Sequence, residues 1–163
     1  MELTSLERDM LAGKHGEGVA LAMKVQAGTG RAFYAKRMVP VTRTHGAASA
    51  QEGDLYFVTK LVDLGARCVV SPTTNPSMDI DYVGERLGSL TDTGRDRVAA
   101  SNDAYRRIGA TMTLSCTPEL EKNVPAFGEV VAFSESSATP YVNSVLGART
   151  NREGGPSALA SAI

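Results

Sequence analysis

Apolar residues recur at helical spacing over residues 4–26: Leu6, Met10 and Leu11, then, past Gly13 and Gly16, Val19, Ala20 and Met23. Thr4 or Ser5 supplies a cap, Glu7 an acidic first turn, and Gly28-Thr-Gly30 an end. Met38-Val-Pro-Val41 reads as a short strand running into a polar loop, residues 42–46. A second helix, capped by Asp54, sets Leu55, Val58, Leu61 and Val62 on one face and stops at Gly65, where a left-handed residue is expected. Residues 66–70 then read as a buried strand, 71–76 as its terminal loop and 77–94 as a surface connection. A third helix over 95–107 ends at Gly109, and a strand over 111–115 leads into Cys116-Thr-Pro118. Residues 130–133 form another strand, 134–137 its loop, and a helix with Pro140 in its first turn runs to Gly147. Beyond residues 148–155, Pro156 opens a last helix towards Ile163.

Two units share a pattern. Gly65-Ala-Arg-Cys-Val-Val-Ser-Pro-Thr73 and Gly109-Ala-Thr-Met-Thr-Leu-Ser-Cys-Thr117 both read G-A-x-x-x-x-S-x-T, 44 residues apart. Each is a helix, a glycine stop, an apolar run and a hydroxyl-rich loop. The alternation predicts an α/β fold of alternating helices and mostly parallel strands, with ligands at the strands' carboxyl ends. The final apolar run reaches Ile163 with no glycine, basic turn or proline. The expectation is a domain incomplete as given, part of a larger protein.

Composition narrows the classes. The 163 residues are 42% apolar and 21% charged, as in ordinary globular domains. No apolar run has the length of a membrane span, and no segment resembles a signal peptide, so a cytoplasmic protein is expected. A net charge of −1 argues against nucleic-acid or membrane-surface partners. Two cysteines, Cys68 and Cys116, make neither a disulfide framework nor a zinc pattern.

Four hydroxyl-rich loops follow predicted strands, at 42–46, 71–76, 115–118 and 134–137. Ser71, Thr73, Thr74, Asn75, Ser136 and Ser137 are of the types that let backbone N–H and hydroxyl groups approach an anion, although helix capping needs the same residues. Cys116 stands at a strand's end before a proline, a setting for a metal or cluster ligand, a nucleophile or a small packed residue. Cys68, inside an apolar run, reads as core. His45 is the better acid–base candidate of the two histidines. The densest polar signal is Ser144-Val-Leu-Gly-Ala-Arg-Thr-Asn-Arg-Glu-Gly-Gly155. Arg149 and Arg152 flank Asn151, two guanidinium groups of the kind that clamp a carboxylate or phosphate, against the alternative of a solvated basic turn.

Ser134-Glu-Ser-Ser-Ala138 and Asn143-Ser-Val-Leu-Gly-Ala-Arg-Thr-Asn-Arg-Glu-Gly-Gly-Pro-Ser157 resemble the catalytic domain of the aconitase X family. Thr73-Thr-Asn-Pro76, Cys116-Thr-Pro118 and the opening Leu3-Thr with Met10-Leu-Ala-Gly13 fit it too. The resemblance covers essentially the whole chain and implies an aconitase-like fold, of which 1–163 would be the N-terminal portion. It implies a hydro-lyase acting on a small hydroxy acid: cis-3-hydroxy-L-proline first, mevalonate 5-phosphate second. A non-catalytic α/β module that binds a small anion is the alternative outside the family's chemistry. The resemblance also implies an iron–sulfur cluster with Cys116 as one ligand, the rest of the catalytic domain, and a swivelling domain, fused or supplied as a small subunit. Many relatives carry a second Cys two positions earlier, where Leu114 stands here. Asn143, Arg149, Asn151 and Arg152 would then contact substrate or cluster, with Glu153 orienting the arginines or relaying a proton.

Overall fold

A computed structural model describes residues 1–47, 52–75 and 91–163. Helix α1 spans Ser5–Leu11, with Thr4 and Glu7 closing a reciprocal capping box, and α2 spans Glu17–Ala32. Strand β1 (Arg43–Ala47), helix α3 (Glu52–Asp63), strand β2 (Thr73–Asn75) and helix α4 (Asp92–Ile108) follow. After a single 3-10 turn at Pro118–Leu120 come β3 (Val130–Phe133), α5 (Ala138–Ser144), β4 (Arg149–Arg152) and α6 (Gly155–Ala160).

The four strands form one parallel sheet in the order β2-β1-β3-β4. Thr73, His45, Phe133 and Arg152 are aligned across it, so their side chains share a face. Against the other face, α6 lies over β1, with α2 and α3 against it and α4 packed on α3. Val58, Leu61, Ile108 and Leu159 are at most 1% exposed in that main core. Removing a side chain of that size from water is worth about 1.5–3 kcal/mol. A Cβ built on Gly46 would lie 3.9 Å from the Gly155 carbonyl oxygen and 4.0 Å from Leu159 Cβ, ordinary contact that shows β1 packed on α6. A smaller core on the His45 face joins Val131 and Phe133 to Ala138 and Val142 of α5.

The predicted parallel α/β class is what the structure has, and Gly65 and Gly109 end their helices at φ +78 and +104. Several strands are displaced. Residues 38–41 are not a strand; β1 is the supposed loop after them, since Pro40 lacks a ladder donor. Residues 66–70 are irregular, with Val69 83% exposed, and β2 lies in the polar stretch after them. Residues 111–115 make a single parallel bridge, Thr111 to Thr73, and Leu114 turns the backbone at φ +51. Residues 148–155, read only as the link between two helices, contain β4. Helix α2 continues through Gly28 and Gly30, and the helix at 138 stops at Ser144, short of Gly147. Most of the 77–94 connection lies outside the described residues.

Candidate functional site

Three of the four predicted loops converge at the carboxyl edge of the sheet. Asn75 ends β2 and is 2% exposed. The 111–116 segment runs beside β2, with Ser115 N–H donating to the Thr74 carbonyl at 3.3 Å, which brings Cys116 alongside Asn75. The Cys116 thiol donates to Asn75 Oδ1 at 3.0 Å. The Asn75 amide donates in turn to Glu135 Oε1, in the loop after β3. Cys116 is exposed, so the sulfur at the head of this chain is open to an incoming group.

Glu119 lies on the turn just after Cys116, near enough for the Glu135 charge to act on it. It is 3% exposed and its Oε2 has no hydrogen-bond partner among the described residues. Burial, together with the nearby Glu135 charge, raises its pKa above the ordinary carboxyl value. One level lower, His45 is fully buried, with Nδ1 2.8 Å from Thr73 Oγ1 and its ring edge-on to Phe133. Asn123 donates to Thr73 Oγ1 and to the Thr44 carbonyl, both at 2.9 Å. His45 Nε2 has no partner among the described residues, and burial lowers the imidazole pKa to about 4, so the ring is neutral at pH 7.

The other sequence candidates separate. Arg149 and Arg152 sit on β4, three residues apart, so they project from opposite faces of the sheet. A shared clamp is therefore ruled out. Arg149 aligns with Val130 at the amino end, and Arg152 with Phe133 at the carboxyl end. Asn151 is exposed on the Arg149 face. Asn143 is a brace: its amide donates to the Thr139 and Thr150 carbonyls at 2.9 and 3.0 Å and accepts from Thr150 N–H, tying β4 to α5. Glu153 accepts from Ser157 Oγ at 2.7 Å where α6 begins. Ser71 bonds the Gly109 carbonyl, Thr74 bonds the 111–113 segment, and both link the two repeat-like units. Ser136 and Ser137 are exposed before α5, and Ser137 makes no capping bond.

Glu135, Glu119 and Asn123 were not singled out by the sequence. Glu135 lies inside the predicted 134–137 loop, and Glu119 three residues after Cys116, so position alone marked both. Among the described residues no three His, Cys, Asp or Glu side chains gather as a metal site. One exposed thiol with an amide and a carboxylate behind it fits a cluster as a single corner, and the described residues do not hold a cluster by themselves.

The family model of the aconitase X first domain matches residues 1–163. The phosphomevalonate dehydratase large subunit of Thermococcus kodakarensis is 37% identical over 100% of this chain, and that of Methanothermobacter thermautotrophicus 40% over 99%. The cis-3-hydroxy-L-proline dehydratase of Pseudomonas aeruginosa is 35% identical over 92% of it. The chain spans 41% of the first two proteins and 26% of the third. The crystal structure of Thermococcus kodakaraensis aconitase X in its holo form superposes over the whole chain with a TM-score of 0.85 and 35% identity, again covering 41% of that protein. With its parallel sheet, its carboxyl-edge cysteine and a match along its full length, the chain belongs to the aconitase X family.

Proposed function

We propose that these residues are the N-terminal portion of the catalytic domain of a dehydratase that removes water from a small hydroxy acid. The observation that carries this reading is the convergence of Asn75, Cys116 and Glu135 at one sheet edge in a chain matched end to end by dehydratases. The relatives of higher identity favour mevalonate 5-phosphate as substrate over cis-3-hydroxy-L-proline, reversing the order that the sequence resemblance suggested. Those relatives are named large subunits, which supports a small swivelling subunit or fused domain as partner, alongside the rest of the catalytic domain. Two unpaired thiols suit a reducing cytoplasm.

In this reading Cys116 is one ligand of an iron–sulfur cluster, and the others come from outside these residues. The bound iron supplies a Lewis acid for the departing hydroxyl. The chain's own residues set the surroundings. Asn75 and Glu135 hold the cysteine in its metal-free thiol form, whose proton would leave on binding iron, and Glu119 keeps its proton to higher pH than an exposed glutamate, a state suited to donation. Neutral His45 braces β1 against β2 beneath them. Arg152, at the carboxyl end of β4, is a cation placed to meet a carboxylate or phosphate at that edge of the sheet. Iron and sulfide analysis of the anaerobically prepared assembly tests this. Stoichiometric iron that is lost in Cys116→Ser is expected; an iron-free assembly would favour a small-anion-binding module.

A further inference from the structure

We propose that Glu135 is a positioning residue: by accepting from the Asn75 amide it fixes that amide with Oδ1 turned to the Cys116 sulfur. The two ends of an asparagine amide have nearly the same shape, so packing alone does not choose between them. Partners choose, and Asn75 is 2% exposed, which leaves bulk water little part in the choice. A carboxylate only accepts hydrogen bonds, so the end of the amide facing Glu135 is the NH2. Oδ1 is thereby directed at Cys116, whose S–H is the donor at 3.0 Å. Without the carboxylate, the amide is free to rotate and present N–H to the sulfur instead. The residues come from three separate segments, the end of β2, the loop after β3 and the 111–116 segment, so the contact also keys these segments to one another.

The contact belongs to the metal-free thiol, since a Cys116 bound to iron would carry no S–H; its importance for chemistry rests on the proposed role of Cys116, but its test requires neither iron nor turnover. In the complete, chelator-treated assembly the S–H stretching band of Cys116 is recorded by infrared spectroscopy and identified as the band absent from Cys116→Ser. With the amide oxygen as acceptor the band is expected at lower frequency than that of an unbonded thiol. Glu135→Ala, and Glu135→Asp as a second variant that merely retracts the acceptor, are expected to shift it back towards the unbonded position. Glu135→Gln, whose own amide oxygen still accepts from Asn75, is expected to restore it. On an Asn75→Ala background, Glu135→Ala is expected to add no shift, because the effect runs through the amide. A band unmoved by both Glu135→Ala and Glu135→Asp overturns the proposal, as does an equal shift with Asn75 absent. A shift of this kind in a chain whose assembly dehydrates neither substrate would uphold the positioning role and reject the enzymatic reading.

Discussion

The Thr73 hydroxyl is where the buried polar network closes, and replacing it with valine is the sharpest stability test. Its oxygen lies 2.8 Å from His45 Nδ1, accepts from Asn123 at 2.9 Å and sits 3.4 Å from the Thr44 carbonyl oxygen. Valine keeps the branched shape and removes the oxygen. His45 Nε2 already lacks a partner among the described residues, so Thr73→Val leaves the buried imidazole with none there. Asn123 retains its bond to Thr44. A stranded buried polar group costs about 1–3 kcal/mol, so one group fully stranded and one half satisfied amount to about 2–4 kcal/mol. In a chain of this size 1 kcal/mol moves Tm by about 2–4 °C, which puts the expected fall at roughly 4–16 °C. Urea unfolding followed by circular dichroism gives the free energy. Thr111→Val, whose exposed hydroxyl meets Ser71 Oγ at 3.0 Å, is the control. A loss no larger than the control's would refute the idea that this network is held by Thr73.

Three further outcomes are expected. Burial lowers the His45 pKa from 6.5 to about 4, so its contribution is intact above pH 6.5 and is lost as pH falls towards 4. That amounts to about 2 kcal/mol between pH 7 and pH 5, and His45→Gln should flatten the slope of urea midpoint against pH by that amount. Glu119, whose pKa is raised, acts in the opposite sense in both proteins and cancels in the comparison. Gly18→Ala would set a Cβ 2.8 Å from both the Cβ and the backbone N of Ala66 and should lose about 1–3 kcal/mol in thermal unfolding. Gly28→Ala, on the same helix with nothing within 4 Å, should gain about 0.5–1 kcal/mol; equal signs for the two would contradict the packing described. In turnover assays of the assembled enzyme, Arg152→Lys should cost roughly 10- to 100-fold and Arg149→Lys less than about twofold, whereas equal losses would restore a joint role for the pair.

The sequence disclosed the helices and hid the strands, for one physical reason. Helices α3 and α4 bury apolar stripes and end on left-handed glycines, so periodicity and punctuation agree. The central strands break the usual correlation between burial and hydrophobicity. Thr44, His45, Thr73, Thr74 and Asn75 are buried polar residues: Thr73 bonds His45 and the Thr44 carbonyl, Thr74 bonds the 111–113 segment, and Thr44 Oγ1 and His45 Nε2 have no partner among the described residues, a pattern that no period in hydrophobicity can reveal. The apolar run at 66–70, by contrast, is left with an exposed Val69. The site was legible where chemistry coincided with a strand end, at Asn75 and Cys116. It was misread at Arg149 and Arg152, because assigning no strand to 148–155 removed the two-residue alternation that places them on opposite faces. Glu135 and Glu119 become visible once the loops are brought together.

The most direct test of the hydro-lyase reading is mass-spectrometric turnover by the complete assembly, anaerobically prepared, with mevalonate 5-phosphate and with cis-3-hydroxy-L-proline in parallel. The expected result is loss of one water from mevalonate 5-phosphate by the unsubstituted enzyme, with Cys116→Ser inactive although folded. Conversion of neither substrate, or undiminished conversion by Cys116→Ser, would contradict the account.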